Sequence, residues 1–260
     1  MTTRTLKIIV DQAGNAASGL GNIASKLTPI KAAAGLAAGG LGLLGGAVLG
    51  AGAGLVSLGS DAEEMQGMFD VVFSETGGRV ARELDNFGNA VGRNKFELME
   101  FAAQFGDTLK PMGFTETAAA DLSVQMTQLA VDLGSFKNMA PEEAFQRLQA
   151  TLIGNHENAL AFGVIINENT LKTELAAMGA DTLTGAQLEQ AKVQARINLL
   201  MKGTTDAQGD AERTAGSWAN QTRALKAELS EAATAMGVEL LPVVTPFLKD
   251  AASLAKEIMP

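Results

Sequence analysis

The side chains that could do chemistry are few. The chain has 260 residues with one histidine, one tryptophan, no tyrosine and no cysteine. A thiolate metal site and a disulfide framework are therefore both excluded. His156 stands in Gly154-Asn155-His156-Glu157-Asn158. A lone histidine beside a glutamate reads as a turn or surface residue rather than a catalytic base, and a triad or metal site is hard to assemble from one histidine and no cysteine. Gly40-x-Gly42-x-x-Gly45 matches the dinucleotide fingerprint, and Asp61 follows at a fitting distance. That motif needs a strand directly before it and a βαβ unit around it, and an uncharged Ala/Gly segment stands there instead. No phosphate-binding Gly-Lys-Ser/Thr loop occurs, and nothing pairs two carboxylates in a pocket. The sequence points to no catalytic residue, no cofactor and no metal.

Net charge is −9 and the sequence pI is near 4.7. This balance argues against specific nucleic-acid binding, which needs a basic face. The first residues do not form a secretory signal, because the apolar run Leu6–Val10 is short and Asp11 ends it. Synthesis and retention in a cytoplasm until assembly is the expectation.

The elements are mainly α-helical, and four regions separate. Residues 1–31 hold a short strand, Thr5–Val10, and a weak amphipathic helix through Ala16, Leu20, Ile23 and Leu27. Residues 32–60 are uncharged and rich in glycine and alanine. Residues 61–203 read as a globular multi-helix domain. Residues 204–260 hold amphipathic, coiled-coil-like helices.

The uncharged segment runs 29 residues with ten glycines, after Thr28-Pro29, which reads as an N-cap and first-turn proline. It exceeds the roughly 20 residues that cross a bilayer core. Each interior glycine costs a soluble helix about 1 kcal/mol relative to alanine, whereas hydrocarbon forces helix formation. Gly42, Gly46, Gly50 and Gly54 recur every four residues and form a ridge for close helix approach. With only nine leucines and valines the segment is a marginal spanner, suited to conditional insertion. A hairpin turned at Gly45-Gly46 and a buried helix fit the same residues.

Within residues 61–203, the run from Asp61 to about Phe73 continues helically and Gly77-Gly78 breaks it. Val80, Leu84, Phe87 and Val91 carry the next helix. Asn94 with Glu97 forms a capping box before Leu98, Phe101, Ala102 and Phe105, and Thr184 with Gln187 a second before Leu188. Thr115 caps a helix faced by Met126, Leu129 and Leu133. Pro141 opens one faced by Ala144, Phe145, Leu148 and Leu152. Met65, Met68, Met99, Met112 and Met126 read as core filler. After the polar linker Gly203–Gly209, Ala215, Trp218, Thr222, Leu225, Leu229, Ala232 and Met236 alternate at spacings of three and four. That stripe suits partner helices in an assembly, or an amphipathic helix docked on its own chain. Trp218 reads as a packing anchor.

Several blocks together resemble the conserved region of phage tail tape measure proteins. They are Met139-Ala-Pro-Glu-Glu-Ala-Phe through Phe162-Gly163, Asp61-Ala-Glu-Glu-Met with Val71-Val72-Phe73-Ser74-Glu75, Phe105–Gly113, Leu129–Phe136, Thr214–Leu229 and Glu239–Pro246. The resemblance covers nearly the whole chain through the order of its blocks. It implies a non-enzymatic structural protein that lines the tail lumen, sets tail length during assembly and leaves at infection. It implies contact with tail tube protein, tail assembly chaperones and tail tip proteins, self-association, and conditional contact with the host inner membrane during genome passage. The corresponding places are the virion tail lumen, the host cytoplasm during assembly and the inner membrane at infection. Family members carry a long helical ruler. Here the residues from Gly209 onward span only about 75 Å at about 1.5 Å per residue. A very short tail, a piece of a longer chain, or a chain that is not itself the ruler would each account for that. The alternative is a pore-forming or secreted bacterial effector with a Gly-rich insertion helix.

Overall fold

Eight α-helices and two 3-10 turns make up most of what a computed structural model describes of the chain. It covers residues 44–217, 220–221, 224–225, 227–228, 230–239, 241–242 and 245. These residues are mainly helical and contain no strand. The expected strand Thr5–Val10 and the helix through Ala16 and Leu27 lie outside them.

The first helix, α1, is Leu44–Val72. It runs without a break from the uncharged segment into the charged residues after Asp61. Gly46 falls in its opening turn; the residues that would form the other arm of a hairpin at Gly45-Gly46 lie outside the described ones. The second helix, α2, is Gly77–Val91. The sequence places a break at Gly77-Gly78, but the turn occupies residues 73–76 and the two glycines open α2. The reason is tertiary: a carboxylate from far along the chain takes the N–H groups of Glu75 and Thr76.

Asn94 caps α3 (Lys95–Leu109) by accepting the N–H of Phe96. A 3-10 turn, Lys110–Met112, follows. Thr115 accepts the N–H of Ala118 and caps α4 (Glu116–Lys137) as expected. Pro141 opens α5 (Pro141–Leu152), where its missing N–H costs nothing. A second 3-10 turn, His156–Phe162, leads to α6 (Glu168–Ala177). Asn167 and Thr170 form a full capping box at the start of α6, a helix not among those expected from apolar spacing. Thr184 precedes α7 (Gly185–Gly203), but its side chain makes no capping bond. Gly185 is left-handed there, with φ 58°, which turns the chain between Thr184 and the first helical turn. The linker after α7 leads to the short α8 (Asp210–Arg213), and residues 230–239 are helical.

Contacts divide the chain into two units, one of residues 65–231 and one of residues 1–64 with 232–260. In the first, α4 packs against α2, α3, α5 and α8. Its expected face, Met126, Leu129 and Leu133, is buried, and so are Ala119, Ala120, Val124, Ala130 and Val131 on other sides. A helix surrounded this way needs no polar face, so its pattern is blurred. Phe145 on α5 stacks on Phe101 at 4.6 Å between centroids and meets Phe105 edge-on at 4.8 Å. Phe69, Val72 and Phe73 pack with Val80, Leu84 and Leu98 in a neighbouring cluster. Met65, Met99 and Met126 are buried, and Met68 and Met112 pack against core clusters. Leu171 and Leu175 pair α6 with Ala191 and Ala195 of α7.

In the second unit, Gly59 of α1 meets Gly237. A methyl group added at Gly59 would lie 2.5 Å from the Gly237 carbonyl oxygen and 2.7 Å from the Val238 nitrogen. Only glycine permits so close an approach of backbones.

Candidate functional site

The glycine ridge is partly in view. Gly46, Gly50 and Gly54 lie on α1, and Gly42 lies outside the described residues. No helix among the described residues is long and apolar enough to cross a membrane.

The C-terminal stripe divides in the same way. Trp218, Thr222 and Leu229 lie outside the described residues. Leu225 is 58% exposed, and Ala232 and Met236 are half-buried. Internal contacts accompany it. Within the first unit, Ala224 packs directly against the backbone position of Gly92. Asn94 donates to Ser230 Oγ at 3.3 Å, and Glu231 takes the Lys95 N–H at 3.3 Å and pairs with its ammonium. Within the second unit, Gly237 and Thr234 are buried. Ala224 therefore faces its own chain while the neighbouring Leu225, about 100° further round the helix, faces outward.

A polar cleft of 480 Å³ lies beside the starts of α3 and α5, lined by Arg93, Asn94, Glu97, Asn138, Glu142 and Ser230 among others. No cluster of histidine and carboxylate ligands suited to a metal ion occurs among the described residues.

Four polar joints join elements distant along the chain. Glu116, in the first turn of α4, accepts the N–H of Glu75 at 2.6 Å and of Thr76 at 3.0 Å, and the hydroxyls of Ser74 and Thr76. Burial pushes its carboxyl up, but the Glu75 N–H and the other donors outweigh it and hold it below its ordinary value. Asp132, buried on α4, accepts the N–H of Gly209 at 2.7 Å and of Ala211 at 3.1 Å. Burial raises this carboxyl in spite of both donors. Glu174, buried on α6, accepts Lys202 Nζ at 2.6 Å and Asn198 Nδ2 at 3.0 Å from α7. Lys202 chiefly, and Asn198 with it, lower its titration against the cost of burial.

The fourth joint contains the single histidine. Arg196 on α7 donates Nε to His156 Nε2 at 3.1 Å and Nη1 to the Leu152 carbonyl at 3.0 Å. His156 opens a 3-10 turn and is half-buried, which agrees with reading it as a turn or surface residue. Burial first, and the guanidinium second, push the imidazole below its ordinary value. One local signal marks two of these joints: Asp132 sits between Val131 and Leu133, and Glu174 beside Leu175, each an acid on an apolar stretch.

Comparison with protein-family models, with curated proteins and with solved structures finds no match.

Proposed function

We propose that this chain is a non-enzymatic structural protein of a phage or prophage tail, resembling tape measure proteins or their N-terminal region. The observation that carries the reading is the order of its sequence blocks. The uncharged Gly/Ala segment comes first, then Asp61–Glu75, then the Pro141-Glu-Glu-Ala run, then Thr214–Leu229. The helices are compatible with that order: α1 continues the uncharged segment into the second block, and Pro141 opens α5 within the third. In this reading the chain occupies the tail lumen, associates with copies of itself, and contacts tail tube protein, tail assembly chaperones and tail tip proteins. The finer architecture belongs to the same proposal: an N-terminal strand, a Gly-rich membrane-active helix, a globular helical body and a C-terminal assembly helix. The uncharged segment would touch the host inner membrane only when the chain leaves the tail.

Affinity purification of the tagged chain from cells assembling tails is the test. Recovery of tail tube protein and tail assembly chaperones is expected, and purified chain should leave bare liposomes intact. Leakage of liposomes by the chain alone, with no tail protein recovered, would replace this reading by that of a pore-forming effector.

A further inference from the structure

The joint between α5 and α7 is built around an acceptor that can be switched off. Arg196 reaches across with two donors. One ends on Leu152, the last residue of α5, whose carbonyl has no helical N–H to receive. The other ends on His156 Nε2, at the start of the following 3-10 turn. An imidazole nitrogen that accepts from a guanidinium carries no proton, so His156 is in its Nδ1–H form. The joint therefore holds both ends of the link between α5 and the turn. That link and the turn display two large apolar side chains, Ile153 and Leu160, both more than half exposed.

We propose that His156 and Arg196 form an acid-sensitive latch: protonation of Nε2 abolishes the acceptor, sets imidazolium against guanidinium, and releases the link 153–155 and the start of the turn from α7. The surrounding charges do not offset this. On α7, Glu189 pairs with Lys192 at 2.7 Å and is the carboxylate that acts on Arg196. On α5, Arg147 pairs with Glu143 at 2.8 Å. On the turn itself, Glu157 is exposed and adjacent to His156 in sequence. The charge that acts on the imidazole is Arg196. Burial and that charge keep the latch closed at neutral pH and require a lower pH to open it.

Because His156 is the only histidine, its ring resonances in the full chain are assigned without mutation. Nitrogen NMR at about pH 7.5 should show the Nδ1–H tautomer, titrating below the ordinary value of about 6.5. Hydrogen exchange of residues 153–157, corrected for intrinsic rate, should lose protection severalfold between about pH 7.5 and pH 5. In His156→Gln, whose amide oxygen still accepts from Arg196 but does not titrate, that loss should vanish. In Arg196→Met the imidazole should titrate closer to its ordinary value. A protonated Nε2 at neutral pH, or the same acid loss in His156→Gln, would overturn the proposal.

Discussion

Glu116 Oε1 accepts the backbone N–H of Thr76 at 3.0 Å across 40 residues of sequence. With the Glu75 N–H and the hydroxyls of Ser74 and Thr76 on the same carboxylate, it fixes the turn that separates α1 from α2. Hydrogen bonds to a charged acceptor contribute roughly 1.5–3 kcal/mol. Glu116→Gln should therefore destabilise the protein by about 1–3 kcal/mol at neutral pH. The folded carboxyl titrates below its ordinary value, so its contribution is complete above the unfolded value, about 4.3. It is lost as pH falls through the folded value. Urea unfolding of both proteins over an acid series should show the gap closing only below about pH 4.3. A gap that ignores pH would remove the charge from the argument.

The Phe145 ring is held between Phe101 and Phe105 and is nearly inaccessible. Truncation to alanine leaves a cavity between α5 and the two α3 rings. Phe145→Ala should cost about 3–5 kcal/mol, read as a shift in urea midpoint with unchanged slope. Phe136→Ala serves as a control, because Phe136 is 46% exposed; it should stay within about 0.5 kcal/mol.

Gly59 and Gly237 separate two roles for the glycines of α1. Gly59→Leu inserts a side chain where Gly237 leaves no room, and overpacking of this kind costs about 1–3 kcal/mol. Limited proteolysis should then cut sooner within residues 232–260. Gly46→Leu with Gly50→Leu instead tests the ridge, and should reduce self-association in detergent with helicity retained. Unchanged association in the second pair would dismiss the ridge.

Leu225 projects outward beside Ala224, which packs on Gly92. Leu225→Asp with Leu229→Asp should lower self-association in sedimentation while the melting temperature of residues 61–202 within the full chain hardly moves. Thr222→Leu should strengthen association, since an apolar seam residue packs better. Unfolding of the body by the double substitution would make the stripe an internal face.

Helix positions were legible in the sequence where the cause is local. Thr115 as a cap, Pro141 as a first helical residue, and the apolar spacing of α2, α3 and α5 act within a turn or two of themselves. The absence of cysteine and the single histidine likewise restricted the available chemistry before any fold was known. What tertiary structure decided rests on partners distant along the chain. Glu116 moved the break from Gly77-Gly78 to residues 73–76 because its acceptors are 40 or more residues away from their donors. Asp132, Glu174 and Arg196 look like ordinary helix residues until α8, α7 and the turn at His156 fold against them. The stripe shows the same limit: its spacing fixes which residues share a face, but only the packed chain placed Ala224 against Gly92 and left Leu225 in solvent. Periodicity records the direction in which a side chain points, and burial depends on what arrives there.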